Sequence, residues 1–508
     1  MITNSELILG PPGTGKTYTL MERVNDYFED GGAPHRFAFV SFTRKSIQEA
    51  MERACLKFNL KPKELPHCRT LHATAFHGLG LQTADVMGAD DYRKLSGILR
   101  LDLLAKDGVD VADGLPKTML SGSGAQYLNI IDRARSRLVS LEQEFNDSGN
   151  HSLAFSKLQN VEATLTKYKT QEAKLDFGDF ISRYVEIVIP PELDVLIVDE
   201  AQDLTPSQWQ MVSKMSEHAK RTIIAGDDDQ AVFRWAGADV DSFIAQKGNV
   251  IHLKESRRVP RKIHELANSI IGRVDNRIDK SWNPKEHEGK LSAYDSFEDI
   301  DMSTGKWLVL TRTRSMLDPL EEIIRDRGFY YDNRFKKLYE KDIQESATSW
   351  EHLINGQMLD SKQIENISKY ISKEKWNKDK LKSMVKNSVY SLEQLQKDYG
   401  LNTNEIWYEA FDQAGQKRIN YIRRMKRNGE ILNKEPRIKL STIHSAKGGE
   451  EDNVVLLTDL TYNTKKSYDK NQDDETRLFY VGATRTREHL HIIRPKDDNK
   501  CYPMQEVI

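Results

Sequence analysis

The segment Gly10-Pro11-Pro12-Gly13-Thr14-Gly15-Lys16-Thr17 constrains this chain more than any other. It fits the pattern G-x-x-x-x-G-K-[ST] without a mismatch, and its flanks are the ones that pattern requires. Glu6-Leu7-Ile8-Leu9 before it is a short apolar run of the kind that forms a buried parallel strand. After it, Leu20, Val24, Tyr27 and Phe28 fall on one side of a helical period. A strand that enters a helix through such a loop turns successive backbone N–H groups toward one point, where phosphate binds. Gly10, Pro11, Pro12, Gly13, Thr14 and Gly15 form the cradle. Lys16 is placed to neutralise the β- and γ-phosphates of a nucleoside triphosphate, and the Thr17 hydroxyl to reach Mg²⁺.

A second apolar run, Val195-Leu196-Ile197-Val198, ends in Asp199-Glu200-Ala201-Gln202-Asp203. Carboxylates at the C-terminal end of a parallel strand border the phosphate crevice of an α/β sheet. Asp199 is then placed to hold Mg²⁺, and Glu200 to orient and deprotonate the attacking water. A third run, Thr222-Ile223-Ile224-Ala225, ends in Gly226-Asp227-Asp228-Asp229-Gln230, so Gln230 is placed to sense the γ-phosphate. Phe233 and Trp235 follow within five residues. They put rings able to stack on bases beside the nucleotide sensor.

Composition narrows the setting. The 508 residues are enough for about two to four domains. No run of about 18 apolar residues marks a membrane span, and Met1 to Glu6 lacks the basic and apolar stretches of a signal peptide. The expected location is the cytoplasm, with no membrane partner. Cys55, Cys68 and Cys501 have no C-x-x-C spacing, which argues for reduced thiols over a zinc or iron–sulfur site. A net charge of −2 excludes a global positive field, so nucleic acid must be met by a local groove.

The order of motifs resembles the superfamily 1 DNA helicases of the UvrD/Rep/PcrA type. The matching segments are GPPGTGKT, FVSFTRKSIQEA, TLHATAF, VDEAQD, GDDDQAVFRWAGAD, ESRRVP, STIHSAKGGEED and RLFYVGATRTREHL. The resemblance implies an α/β fold with two RecA-like P-loop domains on parallel sheets, each carrying a mainly helical insertion. It implies ATP and Mg²⁺ as cofactors and 3′→5′ movement on single-stranded DNA. Arg485 and Arg258 match the family's arginines on the γ-phosphate, and Glu450 matches a glutamate near the nucleotide sugar. Phe42, Thr43, Thr70 and His72, with Phe233 and Trp235, match the DNA-facing segments of the first domain. Thr442, His444 and Lys447 match those of the second.

The chain also departs from the family pattern. Nine residues precede Gly10 and none is Gln, whereas relatives carry an N-terminal glutamine that reads adenine. Arg257 stands where many relatives have a tyrosine that stacks on the base, and Ala236 follows Trp235 where close relatives often carry Arg. These features mark a compact, divergent member.

Residues 1–80 and 170–262 are expected to form the first RecA-like domain, with a helical insertion over 81–169. Residues 263–332 and 433–508 are expected to form the second, with a polar, Lys-rich helical insertion over 333–432. The helix pattern from Lys417 to Arg427 is strongly basic, which suits duplex DNA, a partner or a solvated face. The expected activity is ATP hydrolysis coupled to 3′→5′ translocation and duplex unwinding, on single-stranded DNA and single-strand/duplex junctions. The alternatives are a translocase that strips proteins without appreciable unwinding, and an NTP-switched assembly or defence subunit.

Overall fold

The computed structural model describes residues 2, 5–41, 44–109, 116–149, 152–336, 340–430 and 435–504. The chain forms two compact units, Met1–Glu288 with Ser467–Thr484, and Gly289–Lys466 with Arg485–Ile508.

The first unit is built on strands β1 (Ser5–Leu9), β2 (Phe37–Ser41) and β3 (His67–Thr70), then, past a hairpin of β4 (Leu104–Val109) and β5 (Pro116–Ser121), on β6 (Leu193–Asp199), β7 (Ala219–Gly226) and β8 (Asn249–His252). Its sheet runs β3-β2-β6-β7-β1-β8 with every pairing parallel. The buried stretches of the central strands, such as Leu7–Leu9, Phe37–Val40 and Val195–Val198, are apolar because both faces are covered. Leu7, Leu9, Val40, Leu196 and Val198 enter one core, while Ile8, Phe39, Val195 and Ile197 enter the other. Strand alternation thus feeds two layers of helices.

Register aligns the ends of the strands that carry the motifs. Leu9 pairs with Gly226, and Ser41 with Asp199. β6, β7 and β1 are neighbours, so the loops after Leu9, Asp199 and Gly226 open at one edge of the sheet. That edge is the usual ligand crevice of an open α/β sheet.

The insertion into this unit is mainly helical. Helices Ala89–Leu99, Ala125–Arg137 and Phe155–Glu172 share a core of Leu95, Leu128, Ile131, Leu158 and Leu165. The β4–β5 hairpin lies inside this insertion, which is expected from sequence to be helical. Ala105 and Leu120 pack on that core while Leu104 and Met119 are exposed, an alternation with a period of two.

The second unit holds β9 (Lys290–Tyr294), β10 (Trp307–Thr311), β11 (Tyr331–Asn333), a short β12 (Leu359–Asp360) and β13 (Val389–Tyr390) ladder, β14 (Ile438–Thr442), β15 (Glu451–Leu457) and β16 (Thr486–Ile493). Its main sheet, β11-β14-β10-β15-β16-β9, is again wholly parallel. The helical insertion here closes on Trp350, Trp376, Trp407 and Phe411. Much of the basic charge of helix Gln416–Arg427 is engaged. Arg424 bonds Asp326 at 2.8 Å, Lys426 bonds Glu351 at 2.6 Å, and Arg423 lies 4.0 Å over the Tyr408 ring. Tyr421, Ile422 and Met425 are buried.

By contact, helices Arg261–Ile271 and Gln472–Ala483 both belong to the first unit. Arg477, fully buried, donates from Nε to the Asp228 carbonyl at 3.0 Å. The RLFYVGA segment is thereby fixed next to the end of β7.

Candidate active site

The glycine-rich loop leaves β1 with Gly10 N–H bonded to the Gly226 carbonyl at 3.1 Å. Gly13 and Gly15 sit at φ of 75° and 89°, a left-handed region that a side chain resists. A Cβ on Gly13 would also stand 2.5 Å from Arg258 Cβ and 2.7 Å from Ser256 Oγ. Thr14 closes the turn through Oγ1 to the Pro11 carbonyl at 2.8 Å. Helix Lys16–Glu29 starts at once, so its first N–H groups face the loop mouth, as anion binding requires. Lys16 Nζ donates to the Gly10 carbonyl at 3.2 Å, and Thr17 is half-buried one residue on.

Lys16 Nζ also lies 4.0 Å from Glu200 Oε1. Asp199 is buried and accepts from the Glu200 N–H at 2.9 Å. Burial first, and the neighbouring Glu200 charge second, push its carboxyl up to about 7, although Lys16 pulls the other way. Glu200 itself sits at φ 53°, a left-handed conformation that costs a non-glycine residue on the order of 1–3 kcal/mol. Such local strain is held by surrounding contacts. One of them is Gln202, whose Nε2 donates to Glu200 Oε2 at 2.5 Å while its Oε1 accepts from Asp227 N at 3.1 Å.

Thr17 and Asp199 offer hydroxyl and carboxylate oxygens, the hard donors Mg²⁺ prefers. Among the described residues no group of three His, Cys, Asp or Glu side chains is arranged to hold a metal. One hydroxyl and one carboxylate fit an ion that arrives with nucleotide phosphates and retains waters.

Gln230, in the 3₁₀ turn Asp228–Gln230 that follows β7, is buried and donates from Nε2 to Asp227 Oδ2 at 2.6 Å. The Glu255-Ser256-Arg257-Arg258 segment clamps the phosphate loop from outside. Ser256 Oγ donates to the Pro12 carbonyl at 2.8 Å, and Arg257 N donates to the Gly13 carbonyl at 2.9 Å. The Arg257 guanidinium lies 5.1 Å over the exposed ring of Tyr18. Sequence reasoning gave no role to Gln202, Ser256 or Tyr18. The first two sat inside the quoted motifs, but their bonds join segments distant in sequence.

In the second unit, Arg485 is buried with NH1 3.4 Å from the Gly449 carbonyl. Glu450 pairs with Arg487, at 3.0 Å from Nε and 2.5 Å from NH2. Thr442 Oγ1 accepts from Ser445 N at 3.3 Å at the end of β14. Burial first, then the charges of Arg312 and Lys447, push the His444 imidazole down to about 3.

Of the residues expected to face DNA in the first unit, Phe42 and Thr43 lie outside the described residues. Thr70 caps helix Leu71–Gly78, its hydroxyl accepting from Ala73 N at 3.2 Å. His72 stacks on Phe177, with ring centroids 4.3 Å apart. Phe233 is half-buried, whereas Trp235 is 63% exposed, an uncommon state for so large a ring.

Known protein families match both halves of the chain. The UvrD/REP helicase N-terminal domain matches residues 1–250, and the UvrD-like helicase C-terminal domain matches residues 309–497. The ATP-dependent DNA helicase PcrA of Bacillus subtilis (strain 168) is 22% identical over 72% of this chain and 50% of its own length. The putative ATP-dependent DNA helicase YjcD of the same organism is 21% identical over 96% of this chain and 76% of its own. PcrA of Staphylococcus aureus (strain Mu50) is 20% identical over 80% and 58%. This chain thus spans 50% to 58% of the length of those PcrA relatives. Among solved structures, the arterivirus nonstructural protein 10 helicase aligns at a TM-score of 0.34 and 11% identity, covering 99% of this chain and 62% of that one. That likeness is too low to bear on the fold.

Proposed function

This chain belongs to the UvrD/Rep/PcrA type of superfamily 1 helicases, and we propose that it is an ATP-driven motor that moves 3′→5′ along single-stranded DNA and unwinds duplexes. The observation that carries the reading is the approach of Lys16 to Glu200, 4.0 Å apart between the loops that follow β1 and β6. In it, a phosphate-binding cation and a proton acceptor face one point.

Gly10 to Thr17 hold the phosphates, and Lys16 offsets their charge. Glu200 takes a proton from the attacking water as the bond from Pγ to the β–γ bridging oxygen breaks. Thr17 and Asp199 would hold Mg²⁺, which supplies neutralisation of phosphate charge when bound. Gln230 answers to the γ-phosphate, and Arg258 and Arg485 complete the site as the resemblance implies. Arg257 and Glu450 serve the base and sugar.

The DNA track is assigned to Phe42, Thr43, Thr70, His72, Phe233 and Trp235 of the first unit and Thr442, His444 and Lys447 of the second. Exposed aromatic stacking grips any base, which suits a motor that must not stall at preferred sequences. The direction rests on the family alone, as does the preference for single-strand/duplex junctions.

The test is ATP turnover with and without single-stranded DNA, followed by unwinding of duplexes with 3′ or 5′ tails. Stimulation by single strands and unwinding of the 3′-tailed duplex are expected. Turnover that ignores DNA, or unwinding from 5′ tails alone, sinks the proposal.

A further inference from the structure

The loop after β7 carries three consecutive carboxylates, Asp227, Asp228 and Asp229, all of them buried. Ionised carboxylates leave water only when they are paired. Their shared partner is Lys280, which comes from the segment after helix Arg261–Ile271 and has a side chain only 1% exposed. Its ammonium lies 2.6 Å from Asp228 Oδ1, 2.9 Å from Asp229 Oδ2 and 3.2 Å from Asp227 Oδ1. The hydrogen bond from the ammonium goes to Asp228 Oδ1, and Asp227 and Asp229 lie within ion-pair distance of the same group. Arg277 adds a two-pronged pair to Asp229, at 2.8 and 2.6 Å. Burial opposes the charge on Lys280, but the three carboxylates outweigh it and hold the group above the ordinary lysine range.

Asp227 is where this cluster meets the nucleotide site. One of its oxygens faces Lys280, and the other accepts from Gln230 Nε2. Rotation of that carboxylate would break both contacts. One of the two N–H donors on Gln230 Nε2 is thereby committed to Asp227, which fixes the plane of the amide. The cluster also reaches helix Gln472–Ala483, because Arg477 donates to the carbonyls of Asp228 and Asn276. Arg485 follows that helix by two residues in the chain.

We propose that Lys280 is a positioning residue for nucleotide turnover, which fixes the amide of Gln230 by holding Asp227. This rests on the ATPase reading above and adds to it a residue that no motif contains. Lys280 touches neither nucleotide nor water in this scheme. It acts through Asp227.

The test compares Asp228→Asn, as reference, with Lys280→Met/Asp228→Asn, which removes one charge of each sign. Asn at 228 can still accept the Ile278 N–H that Asp228 Oδ2 accepts at 2.8 Å. Relative to the reference, the pair is expected to lower kcat at least about 10-fold with KM within about 3-fold. Adding Gln230→Ala should cost no more than about another 2-fold, because both changes disable the same group. Lys280→Gln in place of Met restores a donor toward Asp227 and should recover much of the lost kcat.

Three results overturn the proposal: kcat equal to the reference, losses that multiply in the triple variant, or Gln and Met variants that behave alike. A pair that melts below the assay temperature by circular dichroism also overturns it, since Lys280 is then a folding residue. Wild-type chain that turns over no ATP, with or without DNA, instead removes the reading of the site, and the role of Lys280 falls with it. Wild-type turnover that is indifferent to Lys280 removes only the present proposal.

Discussion

Gln202 holds Glu200 by a 2.5 Å hydrogen bond from Nε2 to Oε2, and the same amide accepts from Asp227 N–H through Oε1. The acid at the end of β6 and the start of the loop after β7 therefore share one buried side chain. Gly226 makes room for it, since a Cβ there would stand 2.5 Å from Gln202 Oε1. We expect Gln202→Ala to lower kcat by about 10- to 100-fold, with a smaller change in nucleotide KM, because Glu200 loses its orientation. Stability should fall by about 1–3 kcal/mol, as the buried Asp227 N–H loses its acceptor. Steady-state ATPase assays and thermal melts check both. A kcat equal to wild type shows that Glu200 is held well enough by its backbone.

Lys16 and Glu200 are close in space but should fail differently when replaced. Lys16→Ala removes the cation that meets the phosphates and should weaken nucleotide binding and abolish turnover. Glu200→Gln keeps the size and the contact with Gln202 but cannot take a proton. It should bind nucleotide and hydrolyse it at least about 100-fold more slowly. Equilibrium titration with a fluorescent ATP analogue separates the two, and equal loss of binding in both variants contradicts the assigned roles.

The residues that chemistry names were legible in sequence because their conformation is local. Gly13 and Gly15 need positive φ, and Lys16 must open a helix. What sequence could not give was adjacency. The bond from Gln202 to Asp227 exists because β6 lies beside β7 in the sheet. Lys280 meets Asp228 across 52 positions, and His72 stacks on Phe177 from a segment likewise remote in the chain. The β4–β5 hairpin inside the mainly helical insertion shows its period of two only in the structure, where Leu104 and Met119 are exposed while Ala105 and Leu120 pack on the core.

Trp235 stands out by exposure, in a 3₁₀ turn from Arg234 to Ala236 that follows Gln230 by four residues. A largely exposed ring so close in the chain to Gln230 is suited to stacking on a base, at about 1–3 kcal/mol. Trp235→Ala should weaken binding of a labelled oligothymidylate by about 5- to 150-fold. It should also reduce DNA stimulation more than basal hydrolysis. Fluorescence anisotropy at fixed salt is the measurement, because phosphate contacts make affinity salt-dependent. An unaltered Kd removes the stacking assignment.

Two histidines of the second unit set an acid limit on its stability. Burial and then Arg312 and Lys447 push His444 down to about 3, while burial and then His489 push His491 down to about 3. His491 is packed between Tyr294 and Trp307, at ring distances of 5.6 and 4.9 Å. An unfolded histidine titrates near 6.5, so below that pH the unfolded chain binds protons that the folded unit refuses. Stability from this source is complete above about pH 6.5 and is lost as pH falls toward 3. At about pH 5 the loss is on the order of 2 kcal/mol for each ring. Urea unfolding at about pH 7.5 and pH 5 should show this loss, and His444→Gln/His491→Phe should lessen it. At neutral pH His444 is then uncharged, so if it lines the proposed DNA track it adds no charge there, and lowering the pH to about 6 should leave its contribution to the salt dependence of binding unaltered. Equal stability at both pH values, or the same acid loss in the double variant, refutes the assignment.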